Sequence, residues 1–317
     1  MTDVHILYEN ADWLPPLVDA LDDQGFSPRP IAIQHGTVEG TPAPGIYLNR
    51  MSPSSHTRGN NRSVALTREY LAWLEHHGAR VVNGLDAFEL EMSKMRQAMV
   101  LEQYGIRTPR TALAVGDEQL VDVAQTFDGP FITKHNRGGK GLGIVLFSSA
   151  DELAARLDGD TFDHGPDGQV IIQEYIEPAA PHITRVELVG GRMVLAMESS
   201  TDDGFQLCPS DVCQQKAGAE EPELCPADGS AKFRPSPLEP DDPLVARYAA
   251  MCAGEGIEIA GIEFVEDDDG RRYTYDINGT TNYNQKLGRE IGVDGMARVA
   301  GYLRDVVVPQ LETTAGA

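Results

Sequence analysis

Three oxygen-bearing side chains, Glu263, Asp276 and Asn278, lie in a segment whose pattern predicts a hairpin of two strands. The first strand covers residues 260–265, the second covers 275–278, and an acidic turn joins them. Because alternate side chains of a strand share one face, Asp276 and Asn278 point the same way and Glu263 can meet them from the partner strand. Two carboxylates and an amide oxygen suit Mg²⁺ shared with a polyphosphate. A solvated hairpin is the competing interpretation.

A glycine-rich loop follows the predicted strand 131–134, which ends at Lys134. The backbone of such a loop can wrap phosphate groups and donate N–H groups to them, and Lys134 would bring an ammonium group close to those phosphates. The spacing is neither that of a Walker A motif nor that of a dinucleotide-binding fingerprint, so a purely structural hairpin loop is the alternative. The glycines concerned are Gly138, Gly139, Gly141 and Gly143.

The helix predicted from Ser93 to about residue 103 carries Lys94 in its first turn. A positive charge at that end is unfavourable with the helix dipole. This position indicates that Lys94 serves a purpose other than local helix stability. A lysine that simply points into solvent is the alternative.

The segment Gln173-Glu-Tyr-Ile176 reads as an edge strand that Pro178 releases from its sheet. Backbone groups of Glu174, Tyr175 and Ile176 could then reach the edge of an adenine ring. An ordinary edge strand is the competing interpretation.

A loop that contains two arginines follows the predicted strand 45–49. Open α/β sheets place ligand-binding loops after their strands, and Arg50 and Arg58 could clamp a carboxylate in bidentate fashion. The side chains that could assist are Ser52, Ser55 and His56. Ordinary surface arginines are the alternative.

Strands and helices alternate along the first 90 residues and predict an open α/β layer. A second unit, which contains the glycine-rich loop, covers residues 91–178, and a third unit, rich in strands, covers residues 179–317. A length of 317 residues suggests two domains and also allows three small ones. Within the third unit, residues 202–240 are rich in Pro, Gly, Cys and acidic residues, and we expect a long insertion or an active-site loop there.

The composition excludes several classes of protein. Lysine and arginine number 26 against 49 acidic residues, a net charge of −23, which disfavours binding to nucleic acid or to an anionic membrane. The sequence predicts neither a signal peptide nor a membrane-spanning helix. Four cysteines in 317 residues do not indicate a disulfide scaffold. We therefore expect a cytoplasmic protein.

The order of these segments resembles the ATP-grasp superfamily, and more narrowly its RimK-like branch of glutamate and amino-acid ligases and the lysine-biosynthesis ligases that act on a carrier protein. Lys94 with the following Tyr104-Gly-Ile-Arg-Thr-Pro109 is similar to the "K…L…G-I-P-x-P-x-T" of that branch. Gln173-Glu-Tyr-Ile is similar to "Q-E-F-I", and the hairpin to "A-G-V-D…E-V-N". The resemblance covers about residues 1 to 305.

The resemblance implies an α/β ATP-grasp fold of three lobes: an open α/β domain, a central α+β domain with a lid, and a C-terminal mixed or antiparallel sheet. It implies that Lys94 and Lys134 bind ATP phosphates under the glycine-rich lid. Arg185 would neutralise the γ-phosphate and an acyl-phosphate. The adenine hinge and its neighbours would be Gln173, Glu174, Tyr175 and Ile176, with Glu177 at the ribose. Glu263, Asp276 and Asn278 would hold two Mg²⁺ ions, with Mn²⁺ as an alternative.

The implied reaction is ATP-dependent formation of an amide from a carboxylate and an amine through an acyl-phosphate. The substrate would be an amino acid, a peptide or a carrier-protein tail, and a homo-oligomer is a further expectation from the resemblance. Two alternatives stay open: a nucleotide-binding sensor or scaffold without ligation, and a kinase that only phosphorylates its substrate.

The sequence departs from the family pattern in two places. After Asn278 the usual "N-x-x-P" is replaced by a loop in which Asn282 and Asn284 are candidate substrate contacts. The basic acceptor loop of glutamate ligases is replaced by a segment with Cys208, Cys213 and Cys225. These could bind Zn²⁺, although no paired C-x₂-C is present, or they could be plain thiols. Loss of the basic residues argues against glutamate as the incoming amine.

Overall fold

The strands that the structure describes form three β-sheets, which follow one another along the chain. The computed structural model describes residues 1–139, 141, 143–159, 161–201 and 232–315. The cysteine segment with Cys208, Cys213 and Cys225 lies outside the described residues. Within them, no helix combines the length and the apolar character that crossing a membrane requires.

The first sheet is parallel and has the strand order β2-β1-β3-β4. Its strands are β1 (Asp3–Tyr8), β2 (Ser27–Ala32), β3 (Ile46–Arg50) and β4 (Arg80–Val82), and its helices are α1 (Pro15–Asp23), α2 (Ser63–His76) and α3 (Leu85–Glu91). The predicted α/β alternation is confirmed here. Helix α3 was not predicted, and the arginine-containing loop after β3 forms a 3₁₀ helix at Pro53–Arg58.

The second sheet is antiparallel and has the order β5-β8-β6-β7. It contains β5 (Thr111–Ala114), β6 (Phe131–His135), β7 (Val145–Phe147) and β8 (Val170–Glu174), together with α4 (Lys94–Gln103), α5 (Asp117–Ala124) and α6 (Ala150–Leu157). The prediction that Gln173 lies in an edge strand is wrong. Strand β5 pairs with the outer side of β8, so β8 is internal and only the residues after Glu174 leave the sheet.

The third sheet is antiparallel, has the order β11-β10-β9-β12-β13 and contains the predicted hairpin. Its strands are β9 (His182–Val189), β10 (Arg192–Ser200), β11 (Phe233–Pro235), β12 (Ile259–Glu266) and β13 (Arg272–Asn278). The helices of this region are α7 (Pro243–Gly254), α8 (Gln285–Ile291), α9 (Gly295–Tyr302) and α10 (Val308–Ala315), with a π-helical stretch at Leu303–Val307. These last elements form one continuous helical segment from residue 295 to residue 315. Helix α9 begins at Gly295, because Asp294 accepts from the N–H of Ala297 and caps it.

Asn83 joins the first sheet to the third. Its Nδ2 donates to the carbonyls of Ile259 (2.8 Å) and Gly279 (2.9 Å), and its Oδ1 accepts from the N–H groups of Glu258 (2.8 Å) and Ile259 (3.1 Å). The residue has a φ of 53°, a conformation that asparagine tolerates better than most residues. One buried side chain thus holds the start of β12 and the end of β13 against the first sheet.

Candidate active site

The register of the third sheet arranges polar side chains in two rows across β9, β12 and β13. Arg185, Glu263 and Asp276 occupy one row, because Glu263 pairs with both of the others. Two residues further along β9 a second row follows, made of Glu187, Gly261 and Asn278. Residues two apart share a face, so both rows lie on the same side of the sheet. The predicted convergence of Glu263 with Asp276 and Asn278 is present.

Arg185 lies between two carboxylates on this face. Its Nε donates to Glu187 Oε1 and its Nη1 donates to Glu263 Oε1, each at 2.7 Å. Burial disfavours the charged guanidinium, but the Glu187 and Glu263 carboxylates raise the pKa of Arg185, so it stays positive. A Cβ atom on Gly261 would lie 2.0 Å from Arg185 Nη2. Glycine at position 261 therefore leaves the room into which the guanidinium extends.

Glu263 and Asp276 form a pair of carboxylates flanked by cations. Burial raises the pKa of Glu263, whose Oε2 also accepts from the Tyr275 hydroxyl at 3.3 Å. Burial acts in the same direction on Asp276, but the ammonium groups of Lys94 and Lys134 hold its pKa below the usual range. The described residues contain no group of three or more His, Cys, Asp or Glu side chains suited to a metal. The donor set is therefore two carboxylates and the Asn278 amide.

Lys94 reaches this pair from the first turn of α4. Its Nζ donates to Asp276 and, at 3.4 Å, to Gln97 Oε1. The helix start is anchored on the loop after β6, since the Lys94 N–H donates to the carbonyl of Asn136 at 3.0 Å. Only 7% of Lys94 is exposed, so the alternative of a solvated lysine is wrong. Its position against the helix dipole is offset by the ion pair with Asp276.

Lys134 lies near the end of β6 and approaches the two carboxylates from the second sheet. Its Nζ donates to Gln173 Oε1 at 2.9 Å and lies 5.6 Å from the centre of the Tyr275 ring. Burial, together with the neighbouring Lys94 ammonium, lowers the pKa of Lys134 to about 8. Two lysines and two carboxylates thus face each other between the second and third sheets.

The glycine-rich loop packs against His135 and the first sheet's 3₁₀ helix. A Cβ on Gly139 would contact Ser54 Cβ at 3.4 Å, and a Cβ on Gly143, whose φ is +75°, would lie 2.7 Å from the His135 ring. A larger residue at position 143 would displace the loop from His135, whereas the contact at position 139 is an ordinary van der Waals one. The role of the loop as a phosphate lid remains a prediction, as do the roles of Gly138 and Gly141.

An apolar cavity of about 190 Å³ opens between the second and third sheets. It is lined by Pro109, Ile132, Ile144, Gln173, Glu174, Tyr175, Ile176, Pro178, Ile183, Thr201, Val265 and Tyr275. The N–H groups of Glu174 and Tyr175 donate to the carbonyls of Arg110 and Pro130 at 2.8 and 3.0 Å. These two donors are engaged within the fold, so the backbone of Ile176 is the better candidate for an adenine edge. Glu177 is exposed.

The two arginines predicted to clamp a carboxylate have different partners in the structure. Arg58 binds the buried Glu9 carboxylate, with Nε at 3.2 Å from Oε2, and donates to Ser54 Oγ at 3.2 Å. Arg50 is buried and donates to the carbonyl of Thr281 at 2.5 Å and to Asn282 Oδ1. Arg58 therefore already holds a carboxylate of this chain, and Arg50 holds the loop after β13.

The loop after β13 places its two candidate asparagines differently. Asn282 contacts Arg50, whereas Asn284 is buried and caps α8 by accepting from the Leu287 N–H at 2.9 Å. A capping role explains Asn284 without a substrate. Substrate contact by either residue remains a prediction.

Two buried acids near the rows were not predicted from the sequence. Glu187 shares the face of Arg185, and their spacing of two residues on a strand is the signal that could have revealed it. Glu91 accepts from the N–H of Thr280 at 3.0 Å, and burial raises its pKa to about 7. Glu91 ends α3, the helix that the sequence pattern did not predict.

Comparison with known families and proteins gives consistent matches. Residues 92–207 match the family described as RimK-like ATP-grasp domain. A probable alpha-L-glutamate ligase of Teredinibacter turnerae is 29% identical over 131 residues, 41% of this chain and 42% of that protein. A protein of the same name from Mannheimia succiniciproducens is 23% identical over 292 residues, 90% of this chain and 88% of its own. This chain thus spans less than half of the Teredinibacter relative.

Solved structures extend the likeness over the whole chain. A RimK domain ATP-grasp protein of Sphaerobacter thermophilus is 17% identical with a TM-score of 0.65, and the match covers 95% of this chain and 98% of that one. D-alanyl-alanine synthetase A of Vibrio cholerae is 12% identical with a TM-score of 0.66, over 97% and 98% of the two chains. At these identities the likeness establishes the fold. The chain has the ATP-grasp fold, and its residues 92–207 match the RimK-like ATP-grasp domain.

Proposed function

We propose that this protein is an ATP-dependent ligase that joins a carboxylate to an amine through an acyl-phosphate. The observation that carries the proposal is the row Arg185, Glu263, Asp276, with Lys94 closing one end and Lys134 facing it. Three cations and two carboxylates at one place suit a reaction that transfers a phosphoryl group, because the cations can neutralise the negative charge on its oxygen atoms.

The nucleotide would lie between the second and third sheets. Its adenine would occupy the apolar cavity beside Tyr175 and Ile176, and its phosphates would extend from there towards Lys134 and Lys94. The glycine-rich loop would donate its N–H groups to those phosphates. The proposed boundaries of the three lobes are residues 1–90, 91–178 and 179–317.

The residues present fit a hard divalent cation. Glu263, Asp276 and Asn278 supply oxygen atoms on one face of the hairpin, and carboxylate and amide oxygens are what Mg²⁺ and Mn²⁺ take from proteins. They would hold two Mg²⁺ ions, or Mn²⁺ in their place. When bound, the metal neutralises charge on the phosphate oxygens.

In the first step an oxygen of the substrate carboxylate bonds to the γ-phosphorus of ATP, and the bond from that phosphorus to the bridging oxygen breaks, leaving ADP. Arg185 would compensate the charge that builds up on the transferred phosphoryl group. In the second step the amine nitrogen bonds to the carbonyl carbon and the C–O bond to phosphate breaks. The ammonium form of the amine loses two protons, one to phosphate and one to solvent.

The substrates are proposed by class. Relatives carry the name probable alpha-L-glutamate ligase, and structural neighbours include D-cycloserine synthetase and an ATP-grasp ligase complexed with a precursor peptide. We propose an amino acid, a peptide or a carrier-protein tail as substrate. Arg50, Arg58 and Asn282 are the proposed contacts for its polar groups, each after release from its present partner.

A phosphate-release assay with ATP, Mg²⁺ and a set of amino acids and short peptides tests the proposal, with Glu263→Ala as the blank. A ligase releases ADP and phosphate only when an amine accompanies the carboxylate. ADP release without any amine would instead indicate a kinase. Nucleotide binding without turnover in every combination would indicate a sensor, and full activity in the blank would refute the metal assignment.

A further inference from the structure

Glu187 is a buried carboxylate that the phosphoryl-transfer chemistry does not use. It lies near the middle of β9 with no exposed surface. Its Oε1 accepts from Arg185 Nε at 2.7 Å and from the Thr281 hydroxyl at 2.8 Å. Its Oε2 is buried and has no hydrogen-bond partner among the described residues. One carboxylate oxygen of Glu187 therefore has two hydrogen-bond donors, while the other oxygen can still accept a hydrogen bond from a further donor.

The Tyr283 hydroxyl is in the same situation. It is buried, it has no hydrogen-bond partner in the described part of the chain, and its backbone has a φ of 52°. Glu187, Arg50 and Arg185 all influence its phenol electrostatically, which places it among the same charges. Buried polar groups without partners are rare and costly in folded proteins. Two of them among the same charged side chains therefore indicate a site for a ligand group.

The chemistry of these side chains selects the kind of ligand group. A carboxylate oxygen repels an anion and accepts from a donor, and it binds a cationic N–H most strongly. Glu187 lies two residues, or about 7 Å, along β9 from Arg185. A donor at Glu187 would therefore stand one side chain away from the phosphoryl group that Arg185 is proposed to meet. That is the place from which a nucleophile has to approach.

We propose that Glu187 Oε2 binds the ammonium group of the incoming amine, with the Tyr283 hydroxyl as its second acceptor. This assignment rests on the proposed ligase function and adds the residues that receive its second substrate. The ligand class is a primary amine that is protonated at neutral pH. Thr281 and Arg185 hold Glu187 in place through Oε1 and leave Oε2 for the amine.

The bond changes are those of the second step with one proton assigned. The bound ammonium gives a proton to Glu187 Oε2, and its freed lone pair forms the C–N bond. The carbonyl carbon releases the phosphate oxygen with the electron pair. The nitrogen then gives its next proton to phosphate, and Glu187 returns its proton to solvent, so the products are a neutral amide and hydrogen phosphate.

Hydroxylamine separates the role of Glu187 from the ligase function on which it rests. It is unprotonated at neutral pH, so it needs no carboxylate to bind it as a cation. Wild type and Glu187→Gln are compared with ATP, Mg²⁺ and a mixture of the standard amino acids, with and without hydroxylamine. We expect amide formation to fall by about 100-fold in the variant and hydroxamate formation by less than about tenfold. Equal losses would overturn the assignment. A wild type that forms neither product would refute the proposed function for amino-acid substrates.

Binding of methylammonium tests the site without any turnover. Thermal unfolding is followed in methylammonium chloride and in tetramethylammonium chloride at equal ionic strength, since only the first can donate hydrogen bonds. A ligand that binds the folded state raises the midpoint. We expect a higher midpoint in methylammonium for wild type, and loss of that difference in Glu187→Gln. The same difference in both proteins, or none in wild type, would overturn the proposal.

Two further variants guard against indirect effects. Glu290→Gln removes an exposed acid on α8 and should behave like wild type in methylammonium. Tyr283→Phe keeps the buried ring and removes only the hydroxyl, and we expect it to reduce the methylammonium effect while the protein still unfolds cooperatively. A full effect in Tyr283→Phe would remove Tyr283 from the site.

Discussion

At the scale of single residues, the site depends on how charges are shared. Arg185 contacts one acid of the proposed metal pair, Glu263, and one acid outside it, Glu187. Lys94 contacts the other acid of the pair, Asp276. Both carboxylates of the proposed metal site are therefore balanced by a lysine or an arginine of the chain, which lowers the cost of burying them.

Gly261 should be irreplaceable for a steric reason. In Gly261→Ala the new methyl group would meet Arg185 Nη2 at 2.0 Å and push the guanidinium off the sheet. We expect urea unfolding to show a loss of about 1–3 kcal/mol and phosphate release to drop more than nucleotide affinity does. Gly301→Ala in α9 is the control, because a Cβ there meets nothing within 4 Å, and it should be neutral or slightly stabilising.

Lys134 should make nucleotide binding dependent on pH. Its pKa of about 8 means that the free protein loses this positive charge as the pH rises through 8, whereas bound phosphates favour the charged form. Affinity for ADP, measured by calorimetry, should therefore fall above about pH 8. Lys134→Arg keeps its charge throughout and should remove this fall. An unchanged pH profile in Lys134→Arg would contradict the explanation.

At the scale of elements, short connections decide which strands meet at the site. Asn83, just after β4, bonds to the backbone of β12 and of the loop after β13. The N–H group of Lys94, at the start of α4, donates to the carbonyl of Asn136, just after β6. This one backbone contact brings Lys94 and Lys134 together. The site is thus positioned by the ends of elements, while their buried faces supply the stability.

Asn83 should be a large contributor to stability for its size. Replacement by alanine removes four hydrogen bonds and leaves buried backbone groups unpaired, so we expect a loss of about 3 kcal/mol in urea unfolding. Asn83→Gly loses the same bonds but accepts the φ of 53° without strain. It should therefore be about 1 kcal/mol more stable than Asn83→Ala. Equal stabilities would show that backbone strain contributes little.

At the scale of the whole molecule, the first sheet and the C-terminal helices share one core. Val4 and Ile6 of β1 belong to the same buried cluster as Val299 and Leu303. Burial of a side chain of this size contributes about 1.5–3 kcal/mol, so the two ends of the chain stabilise each other. The proposed catalytic face lies on the sheet between them.

Removal of the first sheet should therefore disrupt the rest. A chain truncated to residues 85–317 would expose Val299, Leu303 and Val307, which pack in that shared core. We expect it to bind a hydrophobic dye and to unfold without a cooperative transition in circular dichroism. Cooperative unfolding near the wild-type midpoint would show that the later sheets form an independent unit.

The hairpin, the glycine-rich loop and the capped start of α4 could be predicted because each is encoded locally. A turn flanked by apolar strands, four closely spaced glycines, and Ser93 before Lys94 are patterns within a few residues. Glu187 was missed although its spacing of two residues from Arg185 is a local signal, whereas its contact with Thr281 joins segments that are far apart in the sequence. Arg58 was assigned to a substrate because its partner, Glu9, lies 49 residues away.

By itself the sequence determined the fold family and the residues that bring charge to the site, since these follow from short motifs in a set order. Only the tertiary structure decided how the charges are shared. The strand order makes β8 an internal strand. The tertiary fold pairs Arg58 with Glu9, and the register of β9 and β12 places Glu187 beside Gly261. The physical reason is that strand order and register depend on pairing and burial between segments that are far apart in the sequence. The local sequence pattern of one segment does not show which other segment it will pair with.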